Sequence, residues 1–362
     1  MAAGVQQCAR DRPFFLWRFV VLVTLDVTAP WDVPLGLAQH ELVFYSLVVA
    51  GLALFAQFVR TGVSLNEVAS RYRPALYASM CICGVAFLSY VYLAVKFDTG
   101  YVLQGGSYVP NAESFASYLP RYMDWSVTVP LLIVEALAVS TLVGARATRT
   151  RFVGMACAFL MIFTGYLGAG VIGHGTSSSA MLLWGLISTV FFAVLYVVLL
   201  GALRRSKESM SAEVYRTYAK AIILLVSVWG WYPIAYAIHN WTSDSNATTI
   251  IQVGFSFADI AAKAGFGAMI HKIAKLRTAE DVNAGEESHP EDVWISSVKY
   301  SDGVQPALKG LPTARLESLL QRVETSSTVA ATRTAGIPSP RPAAVGARED
   351  GQHDGAGDGR QG

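Results

Sequence analysis

Seven long apolar runs follow one another between residues 42 and 275, near 42–60, 74–97, 117–143, 151–173, 179–203, 217–239 and 249–275. A helix needs about 20 mostly apolar residues to cross the roughly 30 Å hydrocarbon core of a bilayer. Hydrocarbon offers no partner to a backbone N–H or C=O, so a crossing segment must satisfy those groups within itself, as a helix does. The chain therefore reads as an all-α membrane protein, a seven-transmembrane-helix bundle over residues 42–275. Composition agrees, because only 15% of the 362 residues are charged, against about 25% in soluble domains. That excludes a soluble enzyme, and the net charge of +2 gives no reason to expect a nucleic-acid partner.

The distribution of charge gives the bundle a direction. The first link carries Arg60, Arg71 and Arg73, and the third carries Arg146, Arg149 and Arg151. The fifth carries Arg204, Arg205, Lys207, Arg216 and Lys220, and Lys272, Lys275 and Arg277 follow the seventh run. The fourth and sixth links hold no Lys or Arg, and the second begins with Lys96 alone. Cationic loops favour the cytoplasmic side. The alternation places the N-terminus outside and the C-terminus in the cytoplasm.

Outside the runs the chain is less specific. Residues 1–41 hold an apolar stretch, Phe14 to Thr24, that is broken by Arg18 and follows Arg10 and Arg12. Both a cleaved signal segment and an interfacial extension fit it. In the second link, Gln104-Gly105-Gly106-Ser107 between two β-prone pieces reads as a hairpin. Asn240-Trp241-Thr242 and Asn246-Ala247-Thr248 match the glycosylation triplet, a pattern often met by chance. Cys8, Cys81, Cys83 and Cys157 have no framework spacing and are read as unpaired. Residues 276–362 are rich in Pro, Gly, Ala, Ser and charge and read as a mostly disordered cytoplasmic tail. A short amphipathic piece near 313–324 lies within that tail, and the partner of the tail is unknown. The bundle is expected to sit in the lipid bilayer as a homo-oligomer. The sequence has no metal-ligand spacing.

Ionisable groups inside the apolar runs carry the chemistry, because each is costly in a bilayer. Lys263 lies mid-way along the seventh run with Asp259 one turn before it, on the same face. The third run holds Arg121, Asp124, Thr128 and Glu135. Asp124 to Glu135 is 11 steps, which at about 100° per residue leaves a net rotation of roughly 20° and an axial distance of about 16 Å. One stripe thus carries a cation, a carboxylate, a hydroxyl and a second carboxylate. With the N-terminus outside, Asp124 and Asp259 fall on the outer side of Lys263 and Glu135 on the inner side. A carboxylate on each side of one buried nitrogen is what a proton relay requires. In the sixth run, Trp229, Tyr232, Pro233 and Tyr236 share a face, beside which Trp125 of the third run adds another aromatic. Aromatic stripes of this kind commonly serve packing alone.

These residues together resemble the microbial rhodopsins. Arg121-Tyr122-Met123-Asp124-Trp125 with Thr128, Pro130 and Glu135 is similar to their third helix. Asp259-Ile260-Ala261-Ala262-Lys263-Ala264-Gly265-Phe266-Gly267 is similar to their retinal-binding helix. Asp124, Thr128 and Glu135 match the proton pumps of the proteorhodopsin and xanthorhodopsin group. The resemblance implies all-trans retinal bound covalently to Lys263 as a protonated Schiff base in a light-driven ion transporter that is not an enzyme. It further implies Asp124 as counterion and proton acceptor, Asp259 as second counterion, Thr128 as hydrogen-bond partner of Asp124, Glu135 as cytoplasmic proton donor and Arg121 as the outer electrostatic group. Trp125, Trp229, Tyr232, Pro233, Tyr236, Tyr122, Leu132, Met161 and Gly165 are implied to line the retinal pocket. Leu132 resembles the residue of green-absorbing members.

Three departures from the family pattern stand out. Ser89 occupies the second-helix position where many relatives have a histidine that pairs with the acceptor carboxylate. Ile251 stands where some relatives have a carboxylate for proton release. Gly185 stands where many have a bulky Trp, and in xanthorhodopsin-like members such a glycine opens a window for a carotenoid antenna. The main alternative function is a sensory or slow-cycling photoreceptor signalling through its tail. Glu135 argues against it, since a sensor has no need of fast reprotonation. A light-gated channel is disfavoured by the absence of a further row of polar residues.

Overall fold

The computed structural model describes residues 27–242 and 244–284. Cys8, the apolar stretch near 14–24, the piece near 313–324 and most of the expected tail lie outside the described residues. Seven helices are present: α1 (Leu37–Val63), α2 (Arg73–Thr99), α3 (Pro120–Ala138), α4 (Gly144–Val171), α5 (Ser178–Ser206), α6 (Ala212–Trp241) and α7 (Ser245–Asn283). Six are long and apolar enough to cross a membrane by length and composition. The exception is α3, whose 19 residues include Arg121, Asp124 and Glu135. The helix that falls short of this test is thus the one that carries the polar stripe. Large apolar side chains such as Leu52, Leu88, Val197 and Phe257 are exposed on the outside of the bundle. That pattern suits lipid, since a water-soluble monomer rarely presents so much apolar surface.

The helices are longer than most of the hydropathy runs. Arg146, Arg149 and Arg151 lie in α4, and Lys272, Lys275 and Arg277 lie in α7, whereas the sequence reading placed most of them in links. Hydropathy ends at the first charges, but the backbone stays helical through the interfacial zone, where long cationic side chains reach water. The third run shows the opposite difference. Pro120 sits in the first turn of α3, a favoured start for a helix, and residues before it form a 3₁₀ turn (Ser114–Ser117). Gly144, with φ +62°, separates α3 from α4.

The outer ends are tied together by a small antiparallel sheet. Strands β2 (Tyr101–Gln104) and β3 (Ser107–Pro110) form the expected hairpin. Gly105 and Gly106 have φ +59° and +87°, the left-handed values that a tight two-residue hairpin turn requires. A two-residue strand, β1 (Leu35–Gly36), pairs with β3 and was not anticipated. His40 at the start of α1 stacks on Tyr108 at 3.6 Å and on Phe97 at 4.7 Å. The folded region also starts before residue 42. The Val27 N–H donates to the Thr176 carbonyl at 2.8 Å. Trp31 is buried, with its ring 5.7 Å from that of Tyr118. It presses on Gly175, where an added Cβ would come 2.5 Å from the indole.

Irregularities in α6 and α7 shape the interior. Pro233 lies inside the sixth helix, where a proline kinks or breaks the backbone. The interruption falls at Gly230, between stretches Ala212–Trp229 and Trp231–Trp241. Proline has no N–H for the carbonyl four residues earlier, which here belongs to Trp229. In α7, residues Ile260–Gly265 form a π turn. Such turns insert an extra residue into a helix, often at functional sites, and this one contains Lys263.

Candidate functional site

Lys263 projects from the π turn into the bundle and is 2% exposed. Its Nζ lies 2.7 Å from Asp124 Oδ2 on α3 and 3.0 Å from Asp259 Oδ2 on its own helix. Both carboxylates are buried. Burying charges is expensive, and such a group persists only when the geometry is close and the spare lone pairs are satisfied. Asp259 meets that condition fully. The Tyr232 hydroxyl donates to its Oδ1 at 2.5 Å, the Tyr90 hydroxyl to its Oδ2 at 2.9 Å, and the Trp125 indole N–H to Oδ2 at 3.4 Å. Asp124 is less constrained, because its Oδ1 has no hydrogen-bond partner.

The stripe expected on α3 is buried along its whole length: Arg121, Asp124, Thr128 and Glu135. The Thr128 hydroxyl donates to the Asp124 backbone carbonyl at 3.0 Å. A threonine in a helix reaches the carbonyl one turn back most readily. Arg121 donates from Nη1 to the Ser117 carbonyl at 3.1 Å, and its guanidinium lies 5.9 Å from the Tyr118 ring and 5.6 Å from the Phe255 ring. Its Nε and Nη2 have no partner. Glu135 stands apart from this group. Neither of its carboxylate oxygens has a hydrogen-bond partner, and it packs against Gly267, where an added Cβ would lie 3.3 Å from Oε1.

Gly267 is one turn beyond Lys263 and Asp259 one turn before it. The two carboxylate positions are thus offset from the amine along α7 in opposite directions, each by about 6 Å of helix rise.

Beside Lys263 lies a cavity of about 280 Å³, close to the lower end of the roughly 300–1,000 Å³ usual for small-molecule sites. Trp125, Trp229, Tyr232, Pro233, Tyr236, Tyr122, Leu132, Met161, Gly165 and Gly185 all line it, together with Lys263 and Asp259. Lys263 is the one amine in the lining. Aromatic and apolar walls that end at a single amine fit a long conjugated aldehyde such as retinal. Gly185 lets the Tyr236 ring approach to a distance at which an added Cβ would be 2.9 Å from a ring carbon. Tyr236 is held there by donating to the Met181 carbonyl at 3.1 Å.

Several contributors escaped the sequence reading. Tyr90 follows Ser89 on α2. It is buried with Cys83 and Phe97 at a seven-residue spacing on α2, a pattern that reads as packing until Asp259 is seen opposite. Tyr118, Val129, Met181 and Phe255 also line the cavity. Phe255 lies one turn before Asp259, which was a usable signal. Ser89 is half-buried, and no α2 side chain bonds Asp124. Asn240 is buried on α6 and lines the cavity, a placement that does not suit a glycan acceptor. Cys81, Cys83 and Cys157 are free. Among the described residues no cluster of His, Cys, Asp and Glu is arranged to hold a metal.

Known proteins share this bundle. A profile described as bacteriorhodopsin-like protein matches residues 38–276. Cruxrhodopsin-1 of Haloarcula argentinensis is 30% identical over 259 residues, which cover 70% of this chain and 97% of that protein. The green-light absorbing proteorhodopsin of the Gamma-proteobacterium EBAC31A08 is 25% identical over 257 residues, or 70% of this chain and 94% of that one. The crystal structure of xanthorhodopsin, described as a light-driven ion pump with dual chromophore, superposes with a TM-score of 0.62 at 32% identity, covering 68% of this chain and 98% of that chain. Similarity that runs through all seven helices of a multi-pass membrane bundle leaves one assignment: this chain belongs to the bacteriorhodopsin-like family, the microbial rhodopsins.

Proposed function

We propose that the protein is a light-driven outward proton pump that carries all-trans retinal on Lys263. The observation that supports this most is the placement of Lys263 between two unlike environments. Asp124 and Asp259 touch its Nζ, and the isolated Glu135 lies one turn away in the other direction. When bound, retinal joined to Nζ as a protonated Schiff base supplies the light absorption and the isomerisation that changes the setting of that nitrogen.

The remaining steps belong to the chain. Nζ of Lys263 holds the proton to be moved. Asp124 Oδ2, 2.7 Å away, takes the proton. Its single strong contact leaves it free to do so. Asp259, whose oxygens accept from three donors, acts as the fixed countercharge. Arg121, whose Nε and Nη2 have no hydrogen-bond partner, supplies a positive charge that favours ionised carboxylates on the outer side of Lys263. Glu135 returns a proton to Nζ from the cytoplasmic side. The aromatic walls orient the ligand and exclude water.

The deciding experiment follows the pH of a weakly buffered suspension of retinal-supplied, expressing cells under illumination. Acidification that a protonophore abolishes is the expected result. A pigment that forms but moves no protons would replace the pump with a sensory photoreceptor. For the donor, Glu135→Gln is expected to slow return of the proton to Nζ by at least about tenfold. An unchanged photocycle in that variant would remove Glu135 from the role.

A carotenoid antenna is a second proposal with one supporting observation. The cavity lining continues past Gly185 to Leu186 and Trp241, which are 64% and 72% exposed toward the lipid. Excitation of retinal through an added carotenoid, lost in Gly185→Trp, is the expected outcome. A retinal excitation spectrum that never gains carotenoid bands would end the idea.

A further inference from the structure

The described residues hold a second set of polar groups inside the bundle, on the cytoplasmic side of Glu135. Four helices contribute. Gln57 and Thr61 of α1, Ser79 of α2, Glu135 of α3 and His271 of α7 are all buried. Gly267 is where they converge. A methyl group there would collide with Ser79 Oγ and lie 3.3 Å from Glu135 Oε1 and 3.6 Å from Gln57 Nε2. The Gln57 side chain donates to Thr61 Oγ1 at 3.1 Å and accepts from Arg60 Nη1 at 3.4 Å. His271 follows Gly267 on α7 by one turn, or about 6 Å of rise. Its Nε2 lies 3.3 Å from Glu67 Oε2 in the loop between α1 and α2, and Lys275 Nζ lies 3.0 Å from the same oxygen.

Exposure changes in order along this path. Glu135 is fully buried, the His271 side chain is 5% exposed and that of Glu67 is 26% exposed. Both Glu135 oxygens and Ser79 Oγ lack hydrogen-bond partners. Buried polar atoms without protein partners are ones that bind water, and water chains carry protons. A histidine inside a membrane helix is costly and is a functional hypothesis by default. The charged groups facing His271 are Glu67 from the loop, Lys275 from α7 and Arg60 from α1. Burial pushes the Glu67 carboxyl up, but the hydrogen bond and charge of Lys275 together with His271 outweigh it, so the group stays below its ordinary value. Glu67 is therefore anionic at neutral pH and favours a proton arriving on His271.

We propose that Glu67 and His271 form the cytoplasmic entry relay that refills Glu135, through the polar groups that meet at Gly267. The inference rests on the pump reading. A proton from the cytoplasm binds His271 Nε2 beside Glu67, and the imidazolium then gives a proton toward Glu135 through Gln57, Ser79 and intervening water. No bond other than those to hydrogen changes.

Time-resolved spectroscopy of the full chain with retinal separates the two steps. Visible absorption reports return of the proton to Nζ, and the Glu135 carboxyl band in the infrared reports its refilling. In His271→Asn, the first step is expected within about twofold of the parent and the second slowed by at least about tenfold at neutral pH. Imidazole added to the medium is expected to restore the second step. Glu67→Gln, on a loop outside the membrane, is expected to slow the same step and serves if His271→Asn fails to assemble. Refilling at the parental rate in both variants of a protein that pumps would overturn the relay and leave the pump standing. Slowing that imidazole does not relieve would mark a structural role and also overturn it. A parent chain that moves no protons would remove both.

Discussion

Asp124→Asn is expected to leave a pigment that forms and moves no protons. The amide preserves the shape of the carboxyl, so the cavity beside Lys263 remains. It cannot accept a proton, and Asp124 is the closest acceptor to Nζ, at 2.7 Å. Asp259 is nearly as close, at 3.0 Å, yet its oxygens are occupied by Tyr90, Tyr232 and Trp125. A protonated Asp259 would lose the benefit of those donors, each a bond to a charged acceptor worth about 1.5–3 kcal/mol. The variant therefore keeps one countercharge and loses the acceptor. Light-driven acidification is expected to fall at least about a hundredfold, within the usual range for removing a proton-transfer group. Pumping at the parental rate would reassign the acceptor to Asp259.

Lys263→Ala has the other large effect: no visible pigment at any retinal concentration. The same change destabilises the bundle before any ligand is added. It leaves Asp124 and Asp259 facing each other in a buried site without their cation, and removing one partner of a buried ion group costs about 3–5 kcal/mol. A second change, Asp124→Asn in the same chain, is expected to recover part of that loss because it removes the uncompensated charge. Thermal melting in detergent, compared across the single and double variants, measures this. A double variant no more stable than Lys263→Ala would refute the electrostatic account, and a retinal band in either would refute covalent attachment at Lys263.

The bundle and the centre of its site were legible for a physical reason. Bilayer length sets the length of each run, and ionisable groups inside a run stand out because they are costly. Lys263 with Asp259, and Asp124 with Glu135, share faces by helical spacing alone. What stayed hidden depends on three-dimensional neighbours. Tyr90 is an ordinary apolar-helix tyrosine until Asp259 lies 2.9 Å away. His271 sits at the end of the seventh run beside Lys272 and Lys275, where a histidine reads as surface. The π turn at Ile260–Gly265 has no marker in residue type. Strand β1 is two residues long, too short to carry a pattern. Pro233 was recognised, but its effect lands at the carbonyl one turn earlier, so the interruption appeared at Gly230.

The segment ahead of the first helix has a practical consequence. Val27 is bonded to Thr176, and Trp31 fills the space that Gly175 leaves beside Tyr118. Those contacts stopper the outer mouth of the bundle with residues that a hydropathy plot would discard as a leader. A truncation that removes Val27 to Trp31 loses these contacts. Loss of Trp31 would remove the ring packed on Tyr118, over which the Arg121 guanidinium lies.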